Sequence, residues 1–512
     1  MRRLLAWIAA ACLALSLTGC ELEQPEPEPS EAPTPTPVPS EEVEEVRFCL
    51  GYDPAASLDP ITGDSQVNQD LTGLVYQTLF VLDNTFQPRP LLAQSAASSD
   101  SRTWTITLRE DVTFSDGTPL TARHAADSLN AARNSALYSA RLSGVSSVSA
   151  RDNTLTIHLN TPNGEFPALL DIPVVLEQGD GLPPLGTGCY QYEAQGDGWV
   201  LRPNPQSPSR TSLPFAEIPL TPVSTQIEQA AAFDSGKISA VTADFSGPNE
   251  VDYSASFETC DYPTTNLLYV GFRAASGPCR SNLVRRAFSQ ALDRESMCRV
   301  QLSGHGDPAA LPISPLSPDS RSGSFLAYDL ESAAGLLDEA GWQLSEEDGL
   351  RYQGQTPLAV TLLVNNDNEA RQAVADWIAE ALQALGVTVT VSRLPWNEYT
   401  AALSAGNFDL FVGEVQLTAD FDPTVLLTGR LNCGGFENWD LTQAIAQWKA
   451  ARGDERTATA FQLWTLFELE APIAPLCFKR ASLLVRWGMA SNLQPIRANP
   501  FSGIEQWSVD GP

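Results

Sequence analysis

The spacing of apolar residues switches between the two-residue period of strands and the longer period of amphipathic helices, from about Val46 onward. Residues 104–108 (WTITL) and 154–159 (TLTIHL) place apolar side chains at every second position, which predicts two half-buried strands. Between them, Asp116-Gly117 predicts a hairpin turn, and Thr121 can cap a helix that follows it over residues 122–133. This part of the chain is therefore predicted to mix strands with helices.

The later half of the chain shows the same alternation. Helices are predicted over residues 328–340 and over residues 369–385, the second of which ends before Gly386. Strands are predicted over residues 360–364 and 387–391, on either side of the longer helix. A strand, helix and strand in this order favour a parallel pair of strands joined by a crossover helix. The predicted fold class is α/β.

The start of the chain has the pattern of an export signal. Two arginines precede an apolar run over residues 4–17, and small residues then lead into Cys20, so we expect residues 1–19 to be a secretory signal peptide. The run is too short to span a membrane as a helix. Its ending, Leu-Thr-Gly-Cys, resembles the lipobox of bacterial lipoproteins, in which the cysteine becomes the lipidated first residue. The alternative is a plain secretion signal with an incidental cysteine.

The segment that follows, residues 20–45, is dominated by Glu, Pro, Ser and Thr. With few apolar side chains to bury, it is predicted to be a disordered, Glu/Pro-rich tether. At about 3.1 Å per residue in polyproline II geometry, it would hold a folded domain roughly 50 to 75 Å from a lipid anchor. The expected location is the cell membrane, with the protein lipid-anchored on the extracytoplasmic face.

Charge and composition exclude several classes of function. The formal net charge of −31 argues against nucleic acid, whose phosphates would be repelled, and against docking on anionic lipid through a basic patch. The three histidines are scattered, so neither a metal site nor another cofactor is expected. The chain has no GxSxG elbow and no HExxH motif, and we expect it not to be an enzyme.

Seven stretches of the chain resemble, in family order, motifs of the bacterial extracellular solute-binding proteins of family 5, the receptors of peptide and nickel ABC importers. The stretches are residues 90–95 (PLLAQS), 108–122 (LREDVTFSDGTPLTA), 186–190 (GTGCY), 232–238 (AFDSGKI), 284–294 (VRRAFSQALDR), 328–342 (YDLESAAGLLDEAGW) and 471–476 (APIAPL). They cover nearly the whole predicted folded part. We interpret most of them as scaffold: Gly186 and Gly188 would adopt backbone angles closed to other residues, and Arg285 would form an ion pair with Asp293.

The resemblance implies a two-lobed, type II periplasmic-binding-protein-like fold that closes by a hinge, with an extra subdomain in the first lobe. The first lobe would comprise residues 46–265, completed by residues 477–512, and the second lobe residues 266–476. The chain would cross the hinge near residues 267–271 and return near residues 472–478.

The resemblance also suggests candidate ligand-binding residues. In peptide-binding relatives, a segment comparable to residues 408–423 supplies an aspartate to the ammonium terminus of the peptide, and Asp420 is the best match, followed by Asp422. Either aspartate could instead cap a turn before the proline that follows. Glu414 would either add a negative charge for the ligand or be solvated. Trp396 would be an aromatic near the cleft, and Arg371 would be a partner of a peptide carboxylate. Each of these two residues also has a purely structural alternative.

The function that these observations favour is a lipid-anchored substrate-binding protein of an ABC importer. It would capture short peptides in an interlobe cleft as a monomer and deliver them to the permease subunits. The alternatives are a receptor for a nickel chelate or other non-peptide solute, and a sensing or adhesive surface lipoprotein without transport.

Overall fold

The computed structural model describes residues 47–179, 181–247 and 251–509. The predicted signal peptide, the tether and Cys20 lie outside the described residues. Across the part of the chain that is described, no helix is both long enough and apolar enough to cross a membrane.

Strands and helices alternate along the described chain. The strands are β1 (Leu50–Tyr52), β2 (Phe80–Leu82), β3 (Pro88–Pro90), β4 (Ala93–Ala97), β5 (Thr103–Leu108), β6 (Val145–Arg151), β7 (Thr154–Leu159), β8 (Tyr190–Gln195), β9 (Gly198–Pro203), β10 (Ile218–Pro222), β11 (Ala240–Ala243), β12 (Phe257–Phe272), β13 (Gly306–Pro308), β14 (Gln343–Leu344), β15 (Arg351–Gln353), β16 (Thr356–Pro357), β17 (Ala359–Asn365), β18 (Thr388–Leu394), β19 (Leu410–Gln416) and β20 (Ile473–Arg486). The α-helices are α1 (Gln66–Val75), α2 (Ala122–Ala132), α3 (Gln226–Asp234), α4 (Asn282–Gln290), α5 (Arg294–Gln301), α6 (Leu330–Glu339), α7 (Glu369–Gln383), α8 (Trp396–Ala405), α9 (Thr424–Leu427), α10 (Trp439–Ala450) and α11 (Gly453–Glu470).

The strands predicted from alternation belong to one antiparallel sheet, in the order β4-β5-β7-β6. β5 and β7 pair directly, and α2 begins after Thr121, whose backbone N–H donates to Nδ1 of His124 at 3.2 Å. Gly117 adopts a φ of 89°, a left-handed conformation that favours glycine, in the turn before this helix. Both strand predictions, the helix and the turn are confirmed.

The largest sheet has the order β11-β20-β12-β19-β17-β18, and β13 pairs with β20. β17 and β18 are parallel and are joined by α7, as the strand–helix–strand pattern predicted. β12, of 16 residues, runs antiparallel to β20, of 14 residues, along most of their length. Their register shifts between Pro263 and Leu267.

Buried apolar side chains of these elements form three large cores. The first contains the side chains of β5, β7, α1 and α2, together with Leu483 and Trp507 from the end of the chain. The second and third contain side chains from residues 267–478, and the third also contains Phe86. Tyr262 of β12 belongs to the first core, whereas Leu267 and Leu268 belong to the third and second. β12 therefore passes from one core to the others where its register with β20 shifts.

Two structural expectations were wrong. Arg285 does not pair with Asp293: its guanidinium donates to main-chain carbonyls, among them Ala471 O at 3.0 Å, whereas Asp293 caps α5. Gly186 and Gly188 do not have left-handed backbone angles. A Cβ at either glycine would instead collide with the main chain at the end of α1, so close approach, rather than backbone conformation, requires glycine there.

Candidate functional site

Residues associated with the first core contact residues associated with the third core away from β12 and β20; we call this contact region the junction. Phe86, from the turn between β2 and β3, is buried in the third core, where its ring packs edge-to-face on Phe421 with ring centroids 4.8 Å apart. The backbone N–H of Gly164 donates to the carbonyl of Lys449 at 2.6 Å. The side-chain amide of Asn163 donates to Oδ2 of Asp420 at 2.8 Å. The junction thus brings the best ligand candidate against a segment about 257 residues earlier in the chain.

Asp420 is buried in the loop after β19. Its Oδ1 accepts a hydrogen bond from the Thr418 hydroxyl at 2.5 Å, and its Oδ2 accepts from Asn163. Burial, reinforced by the negative charge of Asp422, raises the pKa of Asp420. Within the described residues, no cation forms a salt bridge with this carboxylate. Asp420 is therefore a buried acid held by neutral donors.

The loop that presents Asp420 is held in one conformation by its own backbone. The N–H of Phe421 donates to the carbonyl of Thr418 at 2.9 Å, and Phe421 has a φ of 52°. A left-handed conformation is uncommon for an aromatic residue and is maintained by the burial of the ring. The side chain of the neighbouring Asp420 is held by its hydrogen bonds with Thr418 and Asn163.

Asp422 caps a turn, the structural alternative considered for it, and also pairs with a lysine. Its Oδ1 accepts a hydrogen bond from the backbone N–H of Thr424 at 3.0 Å, which is a turn cap, and its Oδ2 forms a salt bridge with Lys449. The charge of Asp422 is therefore matched within the protein, in contrast to that of Asp420.

A cavity of about 350 Å³ opens at the junction beside these carboxylates. Its polar and charged lining includes Arg141, Asn160, Asn163, Asp420, Asp422 and Lys449. Cavities of roughly 300 to 1,000 Å³ are typical of ligand sites in proteins. The volume and lining fit a small polar ligand.

A buried arginine also lies near Asp420. Arg456 donates from Nε to Asp319 at 2.5 Å, and Glu165 lies 3.8 Å away across the junction. Its guanidinium also lies over the Trp448 ring, 4.2 Å from the centroid. Burial raises the pKa of Glu165, and the charge of Arg456 opposes this increase. Together with Asp420, these groups line a second, smaller cavity.

Glu414 and Arg371 form a separate cluster on the large sheet. Oε2 of Glu414 accepts from Nη2 of Arg371 at 2.8 Å and from Nε at 3.2 Å, and Oε1 accepts from Lys479 at 3.2 Å. Lys479 also donates to Asp244 at 2.8 Å. Glu414 is thus neither solvated nor unmatched, and the guanidinium of Arg371 is already engaged by a carboxylate of the protein.

Trp396 begins α8 and does not line the cavity at Asp420. Its side chain is 53% exposed and stacks on Tyr399, with ring centroids 5.6 Å apart. The Tyr399 hydroxyl donates to the carbonyl of Val412 at 2.7 Å, which anchors the pair to β19. Trp396 is placed as a surface aromatic over the edge of the sheet.

Four residues of the polar and charged lining were missed by the sequence interpretation: Arg141, Asn160, Asn163 and Lys449. None belongs to a motif, and each reaches the cavity only through contacts between distant parts of the chain. The described residues contain no group of three or more His, Cys, Asp or Glu side chains that could hold a metal ion.

Comparisons with known proteins agree on one family. The profile described as "Bacterial extracellular solute-binding proteins, family 5 Middle" matches residues 87–438. "Protein XP55" of Streptomyces lividans is 28% identical over 78% of this chain and 76% of its own length. "Glutathione-binding protein GsiB" of Salmonella typhimurium is 26% identical over 67% of this chain and 69% of its own length.

Among solved structures, the fold is similar to that described as "MppA Periplasmic Murein Tripeptide Binding Protein, Unliganded Open Form". The TM-score is 0.75 at 21% sequence identity, and the match covers 91% of this chain and 98% of the other.

Proposed function

Because the chain belongs to the bacterial extracellular solute-binding proteins of family 5, we propose that it captures short peptides with a free amino terminus beside Asp420 and delivers them to an ABC permease. The predicted α/β, type II periplasmic-binding-protein-like fold is confirmed by the likeness to the MppA structure. The relatives named above, one that binds glutathione and one that binds a murein tripeptide, support a peptide ligand for this chain.

The observation that carries the proposal is the charge state around Asp420. A buried carboxylate without a cation costs several kcal/mol. Asn163 and Thr418 donate hydrogen bonds to Asp420 but add no positive charge. The nearby Lys449 lowers the pKa of Asp420 through its charge, but its ammonium forms its salt bridge with Asp422. A ligand ammonium that enters the adjacent cavity would supply the missing counter-charge.

The ligand proposal is tested by calorimetry with trialanine and N-acetyl-trialanine. We expect the protein to bind trialanine and to bind the acetylated peptide more weakly, by roughly 2 to 5 kcal/mol, because acetylation removes the charge that pairs with Asp420. Asp420→Asn should lower affinity for trialanine by a similar amount and abolish the difference between the two peptides.

Asp111→Asn provides the matched control, since the Asp111 side chain is 72% exposed and forms a salt bridge with Arg109. It should bind both peptides as the unmodified protein does. Equal affinity of the unmodified protein for the free and acetylated peptides would contradict the role of Asp420.

We propose that the lobes comprise residues 46–265 with 477–512, and residues 266–476, joined by β12 and β20. The change of core along β12 and the shift of its register with β20 support a hinge there. In small-angle scattering, addition of a bound peptide should change the radius of gyration. An unchanged scattering curve at saturating peptide would count against hinge closure.

The proposed anchor is a lipid on Cys20, and residues 20–45 are proposed as the tether. A cleaved, acylated Cys20 should appear by mass spectrometry of the protein from the membrane fraction, and Cys20→Ala should release the protein into the soluble fraction.

Delivery to a permease predicts that deletion of the protein abolishes cellular uptake of labelled trialanine. Normal uptake would contradict this step.

A further inference from the structure

Two cysteines from distant parts of the chain meet inside the second core. Cys298 lies on α5 and is 3% exposed, and Cys477 lies on β20 and is fully buried. Gly306 of β13 packs against both: a Cβ built at this glycine would lie 3.3 Å from Sγ of Cys298 and 3.4 Å from Sγ of Cys477. The two sulfur atoms therefore share one small space beside the backbone of Gly306.

The two thiols also interact with each other. A hydrogen bond between the thiols of Cys298 and Cys477 is the largest cause of the raised pKa of Cys477, and burial is the next. The main chain holds both cysteines in place. Cys477 is in register with Leu268 of β12 and with Pro308 of β13, and the carbonyl of Cys298 accepts from the N–H of Gly304 at 2.9 Å, just before β13. The contact is thus built into the packing of α5 on β20.

We infer that Cys298 and Cys477 form a disulfide bond when the chain folds in an oxidising compartment. Disulfides form and persist outside the cytoplasm, whereas thiols inside it are kept reduced. The inference therefore uses the proposed location of the protein, but it does not depend on the proposed ligand. Two other cysteines have different surroundings, since the Sγ atoms of Cys189 and Cys260 donate to main-chain carbonyls, at 3.6 and 3.7 Å.

The oxidant in this reaction is a second disulfide, carried by a thiol–disulfide oxidoreductase or by a small thiol compound. The thiolate of Cys298 attacks one sulfur of that disulfide, which forms a mixed disulfide and releases one thiolate. The thiolate of Cys477 then attacks Sγ of Cys298, and the second thiolate leaves. The two electrons and two protons of the protein thiols pass to the oxidant, which ends as two thiols. Because both cysteines are buried in the folded protein, the exchange takes place while the chain folds.

The bond would fix β20 at the point where it leaves the second core. Most of the proposed second lobe lies between the two cysteines in the sequence, and a disulfide that closes a long loop stabilises a protein mainly by restricting its unfolded chain. Both side chains belong to the second core, so the bond does not cross the junction at Asp420. It should therefore raise stability and leave peptide binding unchanged.

Peptide mapping of the full-length protein tests the bond directly. The protein is purified from its cells without reductant, with N-ethylmaleimide added at lysis to block free thiols, and is digested with trypsin. Cleavage after arginine and lysine places Cys298 in the peptide 295–299 and Cys477 in the peptide 457–479. We expect these peptides as one linked species, lighter than the two together by the mass of two hydrogen atoms. Reduction should separate them.

Thermal unfolding measures the contribution of the bond to stability. Refolding in the presence of a reductant should lower the unfolding midpoint of the unmodified protein by about 2 to 5 °C. The same treatment should leave the midpoint of Cys298→Ala and of Cys477→Ala unchanged, because neither variant can form the bond. Cys279→Ala is the matched control, since Cys279 is also buried in the second core. It should keep the linked peptides and the response to reductant.

The possible outcomes decide the inference. If both peptides carry N-ethylmaleimide, or if Cys477 is linked to a cysteine other than Cys298, the inference is overturned. Mapping of the unmodified protein gives this answer even if a variant does not fold. Calorimetry should give the same affinity for trialanine with and without reductant, and a loss of binding on reduction would contradict the placement of the bond away from the ligand site. If no peptide binds at all, the proposed function fails, while the mapping, which uses no ligand, still decides the disulfide.

Discussion

Replacement of Asp70 by asparagine should stabilise the protein at neutral pH. Asp70 lies on α1 and is buried; it accepts hydrogen bonds from the Thr242 hydroxyl and from the side-chain amide of Gln66. Burial raises the pKa of Asp70 from 3.8 to about 6, and the two hydrogen bonds only partly oppose this shift. An asparagine has nearly the same shape; its oxygen can accept from Thr242, and its NH2 can donate to Gln66 once the Gln66 amide turns its oxygen toward it.

The sign of the effect follows from where the proton is held. Between pH 3.8 and about 6, the folded protein keeps a proton on Asp70 that the unfolded chain releases. The free energy of unfolding therefore falls as pH rises through this window, and the full loss is present above it. A shift of about two pH units, at about 1.4 kcal/mol each, corresponds to about 3 kcal/mol. The side chain introduced by Asp70→Asn does not titrate in this range, so the free energy of unfolding of the variant does not fall in this way.

Urea unfolding followed by tryptophan fluorescence measures the difference between Asp70→Asn and the unmodified protein. The advantage of the variant should be about 1 kcal/mol near pH 4.5 and should grow to about 3 kcal/mol near pH 7.5. The growth with pH, rather than the absolute value, isolates the carboxylate from any packing effect of the amide. Asp197→Asn, which replaces an exposed aspartate in the turn between β8 and β9, should show no such growth. A difference that is constant with pH, or that shrinks as pH rises, would refute the reasoning.

Three further predictions concern the junction and the large sheet. Gly164→Ala places a Cβ against the carbonyl oxygen of Ala451, so scattering should detect a more open protein, with a stability loss of about 1 to 3 kcal/mol by urea unfolding. Lys479→Met leaves the negative charge of Glu414 with one partner fewer in a mostly buried site, and should lower the free energy of unfolding by about 3 to 5 kcal/mol. Affinity for trialanine, measured by calorimetry, should fall on acidification at a pH above the usual range for an aspartate, because the pKa of Asp420 is raised and its ionised form binds the ammonium.

Local sequence signals predicted the elements well because the causes of those elements are local. The apolar alternation of β5 and β7, the cap at Thr121 and the glycine after α7 all act within a few residues. The parallel pairing of β17 with β18 followed from the helix between them, since a crossover helix constrains the direction of the second strand. The boundaries moved by only a few residues; the helix predicted from residue 328 begins at Leu330, after the cap at Asp329.

The partners of charged side chains could not be predicted in the same way. Asp420 meets Asn163, and Glu414 meets Lys479, across separations that no spacing rule covers. Arg285 was expected to pair with Asp293, eight residues away. Its guanidinium instead donates to the main-chain carbonyls at the end of α11. Those carbonyls have no partner within the helix, and the Arg285 side chain is buried against them. Pairing in the interior depends on which surfaces meet, and that is decided by tertiary packing.

The distribution of charge between the two clusters explains why the binding proposal centres on the junction rather than on the large sheet. At Glu414, one carboxylate meets two cations, and the additional carboxylate of Asp244 brings the four groups to balance. At the junction cavity, Asp420 has no salt bridge among the described residues, because Lys449 pairs with Asp422. A buried carboxylate beside a cavity attracts a cationic ligand strongly, since the carboxylate has already lost most of its hydration. The charges of the Glu414 cluster are already balanced, so the cluster can stabilise the sheet but leaves no unpaired charge for a ligand.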